Sequence, residues 1–170
     1  SRAYHTATLL PSGLVLLVGG ADQFGTTLAT TQLYDPRTAV YSPGPTLLWP
    51  RERHSATLVG AGTNAKVIIA GGRQKGTNGY SVLANVEIYN VSNGTLAAAA
   101  PMAGARYSHR ADVLADGRVL VSGGSSGTTA TPSGALASAE LYGDGRWTSV
   151  LPPMHDSRRE HTLTRLLDGR

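Results

Sequence analysis

An Arg-x-x-His tetrapeptide returns four times along this chain, at Arg2/His5, Arg51/His54, Arg106/His109 and Arg158/His161. A Gly-Gly pair follows the first three, at Gly19-Gly20, Gly71-Gly72 and Gly123-Gly124. The step between pairs is 52 residues both times, 71 − 19 and 123 − 71. Each pair is followed by an acidic or amide residue, an aliphatic and a tyrosine: Gln32-Leu33-Tyr34, Glu87-Ile88-Tyr89 and Glu140-Leu141-Tyr142. A fixed period of this size restricts the chain to a repeat architecture. The repeats run approximately over 1–50, 51–105 and 106–157, with a fourth starting at 158–170. A residue present in every copy belongs first to the structure of the repeat. A residue that breaks the pattern is where a particular function has to be written.

The second repeat shows what one copy encodes. His54 to Val59 alternates as a half-buried strand does. Gly60 to Asn64 is a turn cluster. Lys66-Val67-Ile68-Ile69-Ala70 is a β-branched run, expected for a strand covered on both faces. Gly71-Gly72 ends it, and Arg73 to Val82 reads as a polar loop. Asn85 to Tyr89 alternates again, Asn93-Gly94 marks a tight turn, and Thr95 to Ala99 is an edge strand stopped by Pro101. No stretch of 10–15 residues carries the helical period, so almost no helix is expected. Four short antiparallel strands make one sheet, too small to bury both faces alone. Such sheets solve the problem by packing face to face.

The Gly-Gly pair after a hydrophobic strand, the later tyrosine, a following aromatic (Tyr41, Trp147) and a closing Pro-Met (Pro101-Met102, Pro153-Met154) resemble the kelch repeat. The second repeat departs by placing Leu96 at the aromatic position, and the first by closing on Pro45-Thr46. The resemblance implies an all-β fold, a kelch-type β-propeller built here of about three four-stranded blades. Three repeats and a fragment do not close a ring. The remaining blades are expected from a longer parent chain or from self-association.

Composition removes several functional classes. The chain has no cysteine, so disulfides, thiolate metal sites and a cysteine nucleophile are out. No apolar run is long enough for a membrane span. The net charge is +4, but four of the arginines are the repeated ones and no basic run exists. Nucleic-acid binding needs clustered charge and is not expected. The Gly-, Ser- and Thr-rich, lysine-poor composition is similar to that of bacterial exported kelch proteins. An extracellular or cell-surface location is therefore expected.

The repeated Arg2, His5, Arg51, His54, Arg106, His109, Arg158 and His161 are read as structural, with Gly19, Gly20, Gly71, Gly72, Gly123, Gly124, Tyr34, Tyr89 and Tyr142. Imidazoles suit copper or zinc, but a metal site needs a unique constellation. No metal, no cofactor and no catalytic residue are assigned. The kelch resemblance also points to copper radical oxidases similar to galactose oxidase, whose tyrosine–cysteine cofactor this cysteine-free chain cannot complete. The scaffold part of such a carbohydrate-active enzyme, with its catalytic residues elsewhere, is the alternative. The favoured reading is a non-catalytic module binding a protein or a glycan.

Two features break the pattern. Positions one and three after the histidine are Thr6/Thr8, Ser55/Thr57 and Thr162/Thr164, but Arg110/Asp112 in the third repeat. Residues i and i+2 share a strand face, so Arg110 and Asp112 are expected to pair with each other or a neighbouring arginine, or to contact a ligand. The loops after Gly-Gly also differ: Ala21 to Gly25, Arg73 to Tyr80, and Ser125 to Ser138. Arg73, Gln74, Lys75 and Tyr80, joined by Trp49 and Arg53, form the expected recognition patch, because such residue types dominate binding hot spots.

Overall fold

The structure is a computed structural model and describes residues 1–127 and 134–166. The middle of the Ser125–Ser138 tract and the Asp168-Gly169-Arg170 end of the fourth unit lie outside the described residues. The described residues are all-β, with no α-helix and one 3-10 turn at Gly62–Asn64. Three four-stranded antiparallel sheets follow one another along the chain. The first is β1 (Thr6–Leu9), β2 (Val15–Val18), β3 (Thr31–Asp35) and β4 (Val40–Pro43), paired in chain order. The second is β5 (Ser55–Val59), β6 (Lys66–Ala70), β9 (Val86–Asn90) and β10 (Thr95–Ala99). The third is β11 (Arg110–Val113), β12 (Val119–Ser122), β13 (Ala139–Gly143) and β14 (Arg146–Val150). These sheets do not close a ring among the described residues.

One expectation is corrected. Arg73 to Val82 is not a loop but a hairpin, β7 (Arg73–Gly76) and β8 (Gly79–Val82), with Lys75 opposite Tyr80. Its sequence is polar because neither strand joins a main sheet, so no apolar face is needed. Its turn residues Thr77-Asn78 and Gly79, at φ +107°, supply what a tight reversal requires.

The core lies between sheets, and strand periodicity explains it. On β6, Val67 and Ile69 face the first sheet and pack with Leu10, Leu16, Val18 and Leu47. Ile68 and Ala70 point the other way and pack with Val119 and Val121 of the third sheet. Four of the five β6 residues are buried, as the β-branched run anticipates. Each fully buried aliphatic side chain contributes about 1.5–3 kcal/mol, so this strand anchors both interfaces. The tyrosine of each repeat faces its outer-strand partner directly: Tyr34 opposite Tyr41, Tyr142 opposite Trp147, and Tyr89 opposite Leu96. Ring centroids lie 4.7 Å apart in the first pair and 5.0 Å in the second.

Between sheets, the closest strand approaches are β1 to β5 and β5 to β11. The strand opened by each Arg-x-x-His therefore lies along the shared inner side of the stack, and the outer strands β4, β10 and β14 lie away from it. That placement brings the four Arg-x-x-His segments together.

Candidate functional site

Arg51 and Arg106 each tie two sheets together. The Arg51 guanidinium donates to the carbonyls of Gly71 at 2.7 Å and Asn85 at 3.0 Å, and pairs with Glu87 at 2.9 Å. Arg106 repeats this with Gly123 at 2.9 Å, Ser138 at 3.1 Å and Glu140 at 2.7 Å. All four side chains of the two ion pairs are buried. The backbone carbonyl of each arginine turns back to the preceding repeat, accepting from Gly20 and Gly72 respectively, at 2.8 Å each. Glu87 also accepts from Leu48 N, and Glu140 from Ala103 N and Gly104 N, fixing the approach loops. In the first repeat Arg2 holds the Gly19 and Thr30 carbonyls, but Gln32 replaces the carboxylate.

The double glycine is what such proximity requires. Gly71 and Gly72 have φ +63° and +96°. A Cβ on Gly71 would stand 2.5 Å from Arg106 O and 2.9 Å from His109 Cε1, while one on Gly72 would stand 2.9 Å from its own repeat's His54. The first glycine receives the next repeat and the second receives its own.

The histidines bind hydroxyls. His54 Nε2 shares a hydrogen bond with Thr6 Oγ1 at 3.0 Å, and His109 Nε2 with Ser55 Oγ at 2.9 Å. Each partner is the residue after the histidine of the preceding repeat. In the third repeat that position is Arg110, and His161 turns instead to Ser122 Oγ at 3.1 Å. Ser122 stands directly opposite Arg110 in the β-ladder, where the other sheets have Val18 and Ala70. The hydroxyl lost on β11 is thus supplied by β12. Burial pushes His109 down to about 3, aided by the Arg106 guanidinium, and pushes His54 well below the usual histidine value. His161 shifts the same way, again by burial, with Arg110 and Arg158 adding to it. Ser122→Ala is expected to cost about 1–2 kcal/mol by orphaning His161. Adding Arg110→Thr should restore most of it, which a double-mutant cycle of denaturant melts measures. No recovery would mean the two hydroxyl positions are not equivalent.

The residue before each histidine forms the site proper. Tyr4, Arg53, Ser108 and Glu160 all take left-handed backbone, with φ between 52° and 57°. For residues other than glycine this conformation costs about 1–2 kcal/mol each. It is held by a ladder: Arg53 N donates to Tyr4 O at 3.0 Å, Ser108 N to Arg53 O and Glu160 N to Ser108 O, both at 2.9 Å. The backbone is the same at all four positions, yet the side chains are an aromatic, a cation, a hydroxyl and an anion. All four line one cavity of 340 Å³. The Arg53 guanidinium stacks 4.0 Å from the Tyr4 ring centroid and reaches past Ser108 to Glu160, 2.6 Å away. His5, Thr6, His54, His109 and Arg110 complete the lining.

The other expected residues separate. Arg73 pairs with Glu52 at 2.8 Å, with Tyr80 and Tyr107 rings 3.9 and 5.0 Å from its guanidinium carbon. Lys75 N donates to Thr27 Oγ1, tying the hairpin to the first repeat's loop. Gln74 is half-buried on β7, paired with Ser81. Trp49 is half-buried, its amide facing Glu87 at 3.5 Å. None of these five lines the cavity that Arg53 enters. Arg110 and Asp112 do not pair with each other. Arg110 Nε donates to His161 O at 2.6 Å, and Asp112 accepts from the backbone N of Arg165 at 3.2 Å. Both grip the start of the fourth unit, because its inner segment runs beside β11 and offers backbone groups nearer than either side chain is to the other. Asp112 lines a second cavity, of 510 Å³, further along the inner strands. Arg158 is partly exposed, its guanidinium 3.9 Å from Asp156.

Sequence reasoning missed Tyr4, Ser108 and Glu160. Their signal was present, since the place just before each invariant histidine holds a different residue type in every repeat. Among the described residues no three His, Asp or Glu side chains converge in a metal-binding group. No family model matches the chain, and no curated protein matches it significantly.

Proposed function

We propose that this chain is a kelch-type β-propeller segment that acts as a non-catalytic binding module, taking a protein or glycan ligand where the four Arg-x-x-His segments meet. One observation carries the reading: four different side chains are brought to one cavity by an identical, strained backbone. Strain kept at repeated positions accompanies function, and variation on a fixed frame is how recognition is encoded. Among the described residues Glu160 is the one carboxylate lining the cavity, and it is engaged with Arg53. Glycoside hydrolysis ordinarily uses two, which favours binding over catalysis.

The same reading gives the outward face of the first sheet a neighbour. Leu9 and Tyr41 are 63% and 58% exposed there. A further blade from a longer chain, or a second copy, would cover them. An exported or cell-surface setting belongs to this proposal on the ground of composition. The test is a glycan and peptide array probed with the protein and with Tyr4→Ala. Hits that disappear in the variant support the site. Hits that survive it place recognition elsewhere.

A further inference from the structure

Arg110 is the residue that sets this cavity apart from a plain product of the repeat. At its position the other repeats have Thr6, Ser55 and Thr162. A hydroxyl there serves the next histidine, so an arginine should leave His161 without its partner. It does not, because Ser122 replaces the apolar residue opposite and makes the bond at 3.1 Å. The frame has been adjusted at a second position while keeping its histidine–hydroxyl bond, which leaves position 110 open to a charged side chain.

The guanidinium is also held in place. Its Nε donates to His161 O at 2.6 Å, which orients the planar group, and the side chain is exposed at the cavity. Its two Nη atoms have no hydrogen-bond partner among the described residues, and no carboxylate lies within ion-pair distance of it. Arg53 is already committed to Glu160. Burial holds His54 and His109 of the lining in their neutral form. The lining therefore carries two guanidinium cations against one carboxylate, and the surplus cation is Arg110.

We propose that this cavity binds a sugar acid, with the ligand carboxylate on the open Nη edge of Arg110 and the ring hydroxyls on Glu160, Ser108 and Tyr4. The inference rests on the reading of the cavity as a ligand site and names its ligand class. Guanidinium and carboxylate match in shape and form paired, charge-assisted hydrogen bonds. Glu160 is 60% exposed and accepts hydroxyl donors, but it repels a second ligand carboxylate. That selects a singly acidic, hydroxyl-rich ligand over a polyacidic peptide. The volume of 340 Å³ lies at the small end of ligand pockets, roughly 300–1,000 Å³.

The decisive variant is Arg110→Ser, which restores the residue type of the other repeats and leaves the Ser122–His161 bond in place. Binding of glucuronate, glucose and a glutamate-rich peptide is measured by titration NMR on the protein and the variant, beside thermal melts. The expected result is glucuronate binding that weakens on the order of tenfold or more in Arg110→Ser and falls with added salt, with the fold retained and the melting temperature lowered only by the loss of the Arg110–His161 bond. Equal binding of glucose and glucuronate, or glucuronate binding that survives the substitution, overturns the assignment while leaving a ligand cavity. Preference for the peptide overturns it in favour of a protein partner. Perturbation of Tyr4, Ser108 and Glu160 resonances by none of the three overturns both the assignment and the binding reading on which it rests.

Discussion

Replacing Arg106 with alanine is expected to lower the unfolding free energy by about 3–5 kcal/mol. Three losses coincide. Glu140 is left as a buried carboxylate, 3% exposed, without its cation at 2.7 Å. The carbonyls of Gly123 and Ser138 lose their side-chain donor. The approach loop held through Ala103 N and Gly104 N then rests on an uncompensated charge. The first repeat supplies an internal control. Arg2 is partly exposed and meets Gln32 at 3.4 Å, with no ion pair, so Arg2→Ala should cost about 1 kcal/mol. Urea melts of the two variants measure the contrast. Equal costs would mean that the buried carboxylate is not what makes the arginine necessary.

Acid should unfold this protein early. Burial pushes the His109 imidazole down to about 3 in the folded chain, far below the ordinary histidine value near 6.5. The unfolded chain therefore takes up a proton first as pH falls, and folding loses ground. The contribution is complete above about pH 6.5 and declines toward pH 3, by about 1.4 kcal/mol per pH unit. At pH 4.5 the loss from His109 alone is about 3 kcal/mol. His54 is depressed in the same direction by burial and by Arg51, so the two losses accumulate. Denaturant midpoints taken from pH 7.5 to 4.5 should fall steeply. A flat profile would show that the histidines are hydrated and charge freely within the fold.

Much of the frame could be read from the chain because periodicity reports burial. The β-branched run Lys66 to Ala70 announced a two-sided strand, and Val67/Ile69 and Ile68/Ala70 divide between two cores accordingly. Gly71-Gly72 announced close approach, and the neighbouring repeat's backbone fills that space. The hairpin at Arg73–Val82 was illegible, because two short polar strands outside a core carry no hydrophobic pattern. The site was half legible. Arg53 and Arg110 stood out as charges, but their neighbours are set by which backbone positions converge, not by sequence distance. Arg53 meets Glu160, 107 residues away. Left-handed backbone at Tyr4 and Ser108 has no signal in residue type, since neither is a glycine or asparagine. The exchange of a hydroxyl from position 110 to position 122 shows only once the two are seen to face each other.

The most direct test of the account is a paired measurement on Arg53→Gly and Glu160→Gly, of stability by denaturant melt and of ligand binding by titration. The frame is held by the invariant Arg-x-x-His contacts, and the variable side chains serve recognition. Glycine accepts a φ near +55° without strain, and the Arg53–Glu160 pair is partly exposed, so it contributes little. The account predicts stability within about 1 kcal/mol of the parent and binding that is lost. Marked destabilisation with binding intact would contradict it, and would return these four side chains to the frame.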